Sequence, residues 1–324
     1  MKEIIPPTDK SLLLKELTED KFIRKTNFGG NDLYVFTHHE APNLMREVGR
    51  LRELTFREAG GGTGFETDID DFDISDDPYH QLIVWDPQHN EILGGYRFYL
   101  PHPNQAGSDI AKRLSTSHLF TFSEQFQNDY MPFMIELGRS FVQPLYQSTA
   151  RARKGIFALD NLWDGLGALV VEHPNMKYFF GKVTMYTHFN QNARNILLYF
   201  LKKYFPDPDK LVTPLHQIEL NWDELAMKKL FSGSDYKENY KILSKEIRAL
   251  KENIPPLINA YMNLSPSMKT FGTSINNEFG EVEETGILVT VADIYPEKVE
   301  RHVSNYQRVR YFLKKDKLFP SKHK

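Results

Sequence analysis

The 324-residue sequence contains no cysteine, which excludes disulfide bonds, zinc sites with thiolate ligands and cysteine nucleophiles. It has no apolar run of about 18 residues, so we expect no transmembrane helix. The first ten residues carry charges and two prolines but no apolar segment typical of a secretory signal. Neither a Gly/Ser-rich linker nor an internal repeat divides the chain. These absences favour a single domain, residues 1–324, in the cytoplasm.

Aromatic residues make up 13% of a chain that is 40% hydrophobic and 26% charged, so a large core can form. The net charge of −3 is small, but its distribution is uneven. Between residues 301 and 324 the only acid is Asp316, whereas the basic residues are Arg301, Arg308, Arg310, Lys314, Lys315, Lys317, Lys322 and Lys324. This tail suits an acidic partner or the inner face of an anionic membrane. The alternative is a solvated chain end.

The spacing of apolar residues predicts a mixed α/β chain. Predicted helices cover residues 9–17, 44–59, 154–173, 192–204, 223–251 and 254–263, the fifth with a break at Ser232-Gly233-Ser234. Predicted strands cover residues 33–37, 81–86, 91–100, 133–142, 177–184 and 286–292. Residues 68–77 and 101–123 are expected to be irregular. This order indicates a mixed sheet flanked by helices, with a helical insert at about residues 205–254.

The strand at residues 133–142 holds an acid and a base three positions apart, Glu136 and Arg139, with Gly138 between them. In a regular strand these two side chains point to opposite faces. A bulge at Gly138 would bring both toward one face and would free backbone N–H groups for a developing oxyanion. The alternative is an ion pair that only stabilises the sheet.

A basic segment follows that strand and precedes the next predicted helix. It contains Arg151, Arg153 and Lys154. Cations beside a helix N-terminus form an anion site, and this one would suit the phosphate of a pantetheine arm. The alternative is a solvated basic turn.

Further charged residues lie upstream and could form one network of carboxylates and guanidiniums around a cleft. One of them, Arg52, lies on the predicted helix at 44–59 together with the aromatic residue Phe56. The set consists of Arg52, Phe56, Asp68, Asp70, Asp73 and Arg97.

The order of these motifs resembles one family, the N-acyltransferases of the ornithine-lipid and glycine-lipid pathways. These are relatives of acyl-homoserine-lactone synthases and N-acyl amino acid synthases within the GNAT superfamily. The resemblance spans roughly residues 45–292 and rests on Arg52-x3-Phe56, Asp68-x-Asp70-x-x-Asp73, Gly94-Gly95-Tyr96-Arg97, Glu136-Leu137-Gly138-Arg139, Leu159–Gly167, Phe180–Thr184, Ile254–Tyr261 and Glu278-Phe279-Gly280. It implies a GNAT fold with a mixed, mostly antiparallel sheet. Two departures are Asp68, where glutamate is usual, and Gln147, where arginine is frequent.

The resemblance also implies an activity: transfer of a long fatty acyl group from acyl carrier protein to the α-amine of glycine or ornithine. The donor is a co-substrate, acyl-ACP or acyl-CoA, and no bound cofactor or metal is expected. Glu136 is the candidate proton acceptor, and Arg97 and Arg139 would order the network or hold the substrate carboxylate. Arg151, Arg153 and Lys154 would bind the donor phosphate.

Three alternatives remain: a GNAT enzyme that uses acetyl-CoA, an acyl-homoserine-lactone synthase, and a non-catalytic module that binds carrier protein or membrane. Other site classes do not fit the sequence. Glycines 60, 61, 62 and 64 lack the P-loop ending, Phe72 occupies a ligand position of an EF-hand, and adjacent His38 and His39 would point apart. The three tryptophans suit packing better than base stacking, so no nucleic-acid partner is expected.

Overall fold

The computed structural model of the chain describes residues 1–147, 155 and 157–307. Its α-helices, numbered in chain order, are α1 (Lys10–Glu16), α2 (Pro42–Glu58), α3 (Asp71–Ile74), α4 (Gly107–Arg113), α5 (Pro144–Gln147), α6 (Ala158–Glu172), α7 (Gln191–Tyr204), α8 (Glu224–Leu230), α9 (Tyr236–Ala249), α10 (Pro256–Met262) and α11 (Pro296–Val299). Its strands are β1 (Phe22–Lys25), β2 (Asp32–Phe36), β3 (His80–Asp86), β4 (Glu91–Tyr99), β5 (Phe120–Phe122), β6 (Met134–Val142), β7 (Tyr178–Met185), β8 (Val212–Pro214), β9 (Lys269–Asn276) and β10 (Val282–Thr290).

Eight strands form one sheet in the order β1-β2-β3-β4-β6-β7-β10-β9. Strands β6 and β7 run parallel, and the other neighbours in this sheet are antiparallel. A separate two-stranded sheet joins β5 and β8. The predicted fold class, a mixed and mostly antiparallel sheet flanked by helices, is therefore confirmed.

Both faces of the sheet are covered by apolar side chains. On one face, helices α6 and α7 contribute residues such as Leu162, Leu197 and Phe200 to the largest buried cluster. On the opposite face, α2 covers one region through Leu44 and Val48. The segment containing α4 and β5 covers another region of that face. Between these last two clusters lies the charged network described below.

The structure corrects three features predicted from the sequence. Strands β1, β8 and β9 were not predicted, because β1 and β8 are only four and three residues long and β9 has polar residues and a glycine with φ of 84°. Strand β10 begins at Val282 rather than Gly286, because Glu283 and Glu284 interrupt the apolar pattern from which the strand was predicted. Residues 68–77 and 101–123, which were expected to be irregular, contain α3 in the first range and α4 and β5 in the second.

The predicted insert, residues 205–254, contains β8, α8 and α9. Its side chains Phe231, Leu243 and Ile247 belong to the same buried cluster as α6 and α7. Of the basic C-terminal segment, residues 308–324 lie outside the described residues, and Arg301 pairs with Asp160 at 2.7 Å. Within the described parts of the chain, no helix is long and apolar enough to cross a membrane.

Candidate active site

The parallel strands β6 and β7 pair over only part of their length. Their register runs from Met134 opposite Tyr178 to Leu137 opposite Gly181. Beyond that point β6 stays paired with β4, and β7 stays paired with β10. A wedge-shaped gap therefore opens inside the sheet. Backbone N–H and C=O groups on the two edges of this gap have lost their ladder partners and can bind a ligand.

A bulge in β6 accompanies this gap. Between paired positions, β4 advances from Gly95 to Arg97 while β6 advances from Gly138 to Phe141, so β6 carries one extra residue. Arg139 lies in this bulge and has a φ of 51°, in the left-handed region that residues with side chains rarely adopt. The predicted bulge is thus present, one residue beyond Gly138.

A cavity of about 790 Å³ opens at the gap, within the size range of small-molecule sites. Its apolar wall comes mainly from α6, α10 and the sheet and includes Tyr96, Leu137, Leu162, Trp163, Leu166, Phe179, Ile258, Tyr261 and Val289. Its polar wall includes Arg139, Ser140, Lys182, Thr184 and Glu284. This combination suits a ligand with a long apolar chain and a polar reactive end.

The predicted charged network is assembled beside the cavity. Asp73 accepts hydrogen bonds from Arg52 Nη1 at 3.1 Å, Arg97 Nη1 at 3.0 Å and Gln81 Nε2 at 2.9 Å. Arg97 Nη1 also lies 2.6 Å from Asp70 Oδ1. Burial alone would raise the pKa of Asp73, but Arg97 and Arg52 outweigh it and hold that pKa well below its usual value. Asp73 is therefore a carboxylate fixed between two guanidiniums.

Arg139 connects this network to the cavity. Its Nε lies 2.8 Å from Asp68 Oδ2, and its Nη2 lies 3.7 Å from Asp70 Oδ2. The guanidinium stacks over the ring of Phe279 at 4.3 Å, and that ring contacts Phe56 edge-on at 5.1 Å. Burial raises the pKa of Asp68, and Arg139 opposes that shift. Arg139, Phe56 and Phe279 line the cavity, whereas Arg52, Arg97 and the three aspartates lie behind it.

Glu136 is fully buried and lies outside the cavity lining. One carboxylate oxygen accepts from the backbone N–H of Thr116 at 3.0 Å. The other accepts from the backbone N–H of Ser115 at 3.0 Å and from the hydroxyl of Tyr79. Tyr79 in turn stacks under Arg97 at 5.1 Å. This geometry ties Glu136 to the network and anchors the segment after α4.

A buried ion pair that was not predicted from the sequence joins Lys182 and Glu284. Lys182 Nζ donates to one oxygen of Glu284, and the Thr184 hydroxyl donates to the other at 2.8 Å. Both charged residues line the cavity. Burial lowers the pKa of Lys182, and Glu284 opposes that shift. Lys182 and Thr184 lie two residues apart on β7, so their side chains share one face, and this spacing was the available signal. Glu284 was not recognised because its strand was predicted to begin later, at Gly286.

The predicted phosphate-binding residues Arg151, Arg153 and Lys154 lie outside the described residues. Gly155, which follows them directly, lines the cavity. In the described ranges, which leave out 148–154, 156 and 308–324, no cluster of three or more acidic or histidine side chains could hold a metal ion.

Comparison with known proteins identifies the family. The chain is 55% identical over 309 residues to a glycine N(alpha)-acyltransferase of Bacteroides thetaiotaomicron, and this match covers 94% of the chain and 91% of that protein. The chain belongs to the glycine N(alpha)-acyltransferase family. A second family member, from Phocaeicola vulgatus, is 53% identical over 306 residues, covering 94% of each protein. The predicted enzyme class, an N-acyltransferase, is confirmed.

The family match agrees with a narrower domain match. Residues 51–154 match the acetyltransferase (GNAT) domain, a range that contains α3, β3, β4 and β6. Two solved structures of a CoA-dependent acyl-homoserine lactone synthase are similar to this glycine N(alpha)-acyltransferase family member. The complex with MTA has a TM-score of 0.42 at 12% identity, covering 86% of this chain and 90% of that one. The complex with SAM and isopentyl-CoA has a TM-score of 0.33 at 16% identity, covering 52% and 72%.

Proposed function

We propose that the enzyme transfers a long-chain fatty acyl group from the thioester of acyl carrier protein to the α-amine of glycine, in the biosynthesis of an aminolipid. The observation that carries this proposal is the cavity of about 790 Å³, which combines a largely apolar wall with charged side chains at the split between β6 and β7. The names of the two relatives support glycine rather than ornithine as the acceptor.

The chemistry needs no covalent enzyme intermediate, because a thioester is already activated. The amine must lose a proton, which costs about 1.4–2.8 kcal/mol when its pKa is one or two units above the ambient pH. A preorganised donor to the oxyanion is worth roughly 2.7–4 kcal/mol. We place that donor among the backbone N–H groups of β6 beyond Leu137, where the ladder with β7 has ended.

The predicted roles of the charged residues remain proposals. Arg97 orders the network through Asp70 and Asp73, and Arg139 presents a cation at the cavity wall. Proton acceptance by Glu136 stays a prediction. Its oxygens already accept hydrogen bonds from Ser115 and Thr116, which supports a positioning role through the β6 strand.

The size of the apolar wall bears on the alternatives. An enzyme specific for acetyl groups needs a short, closed donor pocket, and a non-catalytic module needs a blocked cleft. Here Leu162, Leu166 and Tyr261 line a cavity of about 790 Å³ whose wall is largely apolar. This space favours a long acyl chain. Acyl-CoA remains the alternative donor, since both donors carry the same pantetheine arm.

The predicted partners follow from the reaction. Acyl carrier protein would dock near the basic residues Arg151, Arg153 and Lys154. We also propose a cytoplasmic location with peripheral contact to the inner membrane face through the basic residues of 301–324, because the product would be a lipid.

The test is a reconstituted reaction followed by mass spectrometry. Purified enzyme receives acyl carrier protein or CoA charged with acetyl, octanoyl or palmitoyl groups, together with glycine or ornithine. The expected product is N-palmitoyl glycine, formed faster from the carrier protein than from CoA. Efficient transfer of acetyl but not palmitoyl groups would refute the proposal. Mass spectrometry of lipids from a host that expresses the chain provides an independent readout.

A further inference from the structure

Apart from Arg139 with its carboxylate partners, the described part of the cavity wall contains one buried ion pair, Lys182 with Glu284. Glu284 is fully buried and Lys182 nearly so, yet both line the cavity. Burying an ion pair carries a desolvation cost that its own attraction often fails to offset, so the pair is weak as a stabilising device. Its position at the reactive end of a cavity therefore calls for a functional reason.

The strand register places this pair beside the point of chemistry. Lys182 is the first residue of β7 beyond Gly181, where pairing with β6 ends. Glu284 lies on β10 directly opposite Thr184, and the Thr184 hydroxyl holds its second oxygen at 2.8 Å. Arg139, on the other edge of the gap, faces two carboxylates already, Asp68 and Asp70. Among the described residues, Lys182 is thus a cavity cation whose carboxylate partner, Glu284, also lines the cavity.

An amino acid is a zwitterion and carries the same two charges as this pair. We propose that Lys182 and Glu284 form the amino-acid site, in which Lys182 binds the substrate carboxylate and Glu284 binds the ammonium and accepts its proton. This inference rests on the proposed function. On binding, each protein charge exchanges its partner for the opposite charge of the substrate. No buried charge is left unmatched, and the flexible lysine stem permits the separation.

Two protons leave the nitrogen during the reaction, one to Glu284 and one to the departing thiolate. Glu284 takes one proton from the ammonium, and the nitrogen lone pair attacks the thioester carbon. As the tetrahedral intermediate collapses, the C–S bond breaks, the amide bond remains, and the thiolate leaves. The second proton lost by the nitrogen converts the thiolate to a thiol, and the proton on Glu284 passes to solvent.

The first test of the site compares glycine with glycinamide, which lacks the carboxylate charge. We expect the wild-type enzyme to prefer glycine and Lys182→Met to lose roughly 10- to 100-fold of that preference in kcat/KM, with an unchanged KM for the acyl donor. A structural role for Lys182 would lower activity with both acceptors equally. A Lys182→Met variant that keeps the wild-type preference for glycine over glycinamide would overturn the proposal.

The second test concerns the proton. We expect Glu284→Gln to lower kcat with glycine on the order of 10²-fold. The loss should be smaller with aminoacetonitrile, whose amine is already neutral at pH 7. An equal loss with both amines, or full activity with glycine, would contradict proton acceptance by Glu284. Glu283→Gln is the matched control, because its side chain pairs with Arg194 and does not line the cavity. It should keep wild-type rates.

Folding is controlled with the double variant Lys182→Met/Glu284→Gln, which leaves neither charge unpaired. It should keep the wild-type circular dichroism spectrum and lose glycine acylation, whereas wild-type activity in a folded double variant would overturn the proposal. The proposed function fails separately: a wild-type enzyme that acylates no amino acid refutes both. If the wild-type enzyme acylates glycine and the Lys182→Met variant keeps the wild-type preference for glycine over glycinamide, only the inference is refuted.

Discussion

Asp73 should be the most sensitive single position for the stability of the charged network. Its carboxylate is fully buried and accepts hydrogen bonds from Arg52, Arg97, Gln81 and the backbone N–H of Asp70. Substituting Asp73→Asn preserves the volume but removes the charge, and it turns one acceptor into an amide donor that faces a guanidinium. Two buried cations then lose their shared anion.

The magnitude follows from the cost of breaking a buried ion pair, about 3–5 kcal/mol in free energy of unfolding. With an unfolding entropy of roughly 2.1 cal/mol/K per residue, that loss lowers the Tm of a 324-residue chain by roughly 4–8 °C. The control is Asp71→Asn on the same short helix α3, where the side chain is exposed. It should change the free energy of unfolding by about 0.5 kcal/mol or less.

The assay is urea unfolding followed by circular dichroism between pH 7 and pH 3. Because the folded-state pKa of Asp73 is lowered, its contribution is fully present above the unfolded value of about 3.9 and is lost as pH falls through the folded value. The difference between wild type and Asp73→Asn should therefore be largest at pH 7 and shrink in acid. A difference below about 1 kcal/mol at pH 7, or one that grows in acid, would refute this reasoning.

Three further changes probe the wall of the cavity. Leu166→Trp fills part of the apolar wall, so kcat/KM should fall for the longest acyl donors and be retained for short ones in a chain-length series. Arg139→Met leaves Asp68, whose pKa burial already raises, without its ion-pair partner; unfolding experiments should show a stability loss that is largest at neutral pH and shrinks as pH falls. Gly181→Ala places a Cβ atom 2.6 Å from the carbonyl oxygen of Leu137, so calorimetry should show a destabilisation of roughly 1–3 kcal/mol.

The sequence predicts the central part of the fold well because that part follows simple periodicity. Strands β3, β4, β6 and β7 are apolar runs bounded by turn residues, and α2 and α7 have apolar residues at helical spacing. The edge of the sheet follows no such rule. Strand β9 pairs with β10 through polar residues such as Ser274 and Asn276, and these are buried by contacts that only the tertiary structure creates.

The same division applies to the charged residues. Arg52, Asp68, Asp70, Asp73 and Arg97 were predicted as one network, and the structure joins them to one another and to Arg139. Periodicity could not indicate which member reaches the cavity, because that depends on the bulge. With φ of 51°, Arg139 is turned out of the regular alternation of β6, which places it at the cavity wall while Glu136 stays behind it.

The separation of β6 from β7 also explains why two buried acids, Glu136 and Glu284, occupy different environments. Glu136 precedes the point where β6 leaves β7, so the intact sheet and the segment after α4 enclose its carboxylate. Glu284 lies on β10, which follows β7 past that point, and it lines the cavity that opens where β6 has left the sheet. Proton transfer requires contact with the reacting amine. Between two buried carboxylates, the opening of the sheet therefore favours Glu284 as the group that meets the substrate.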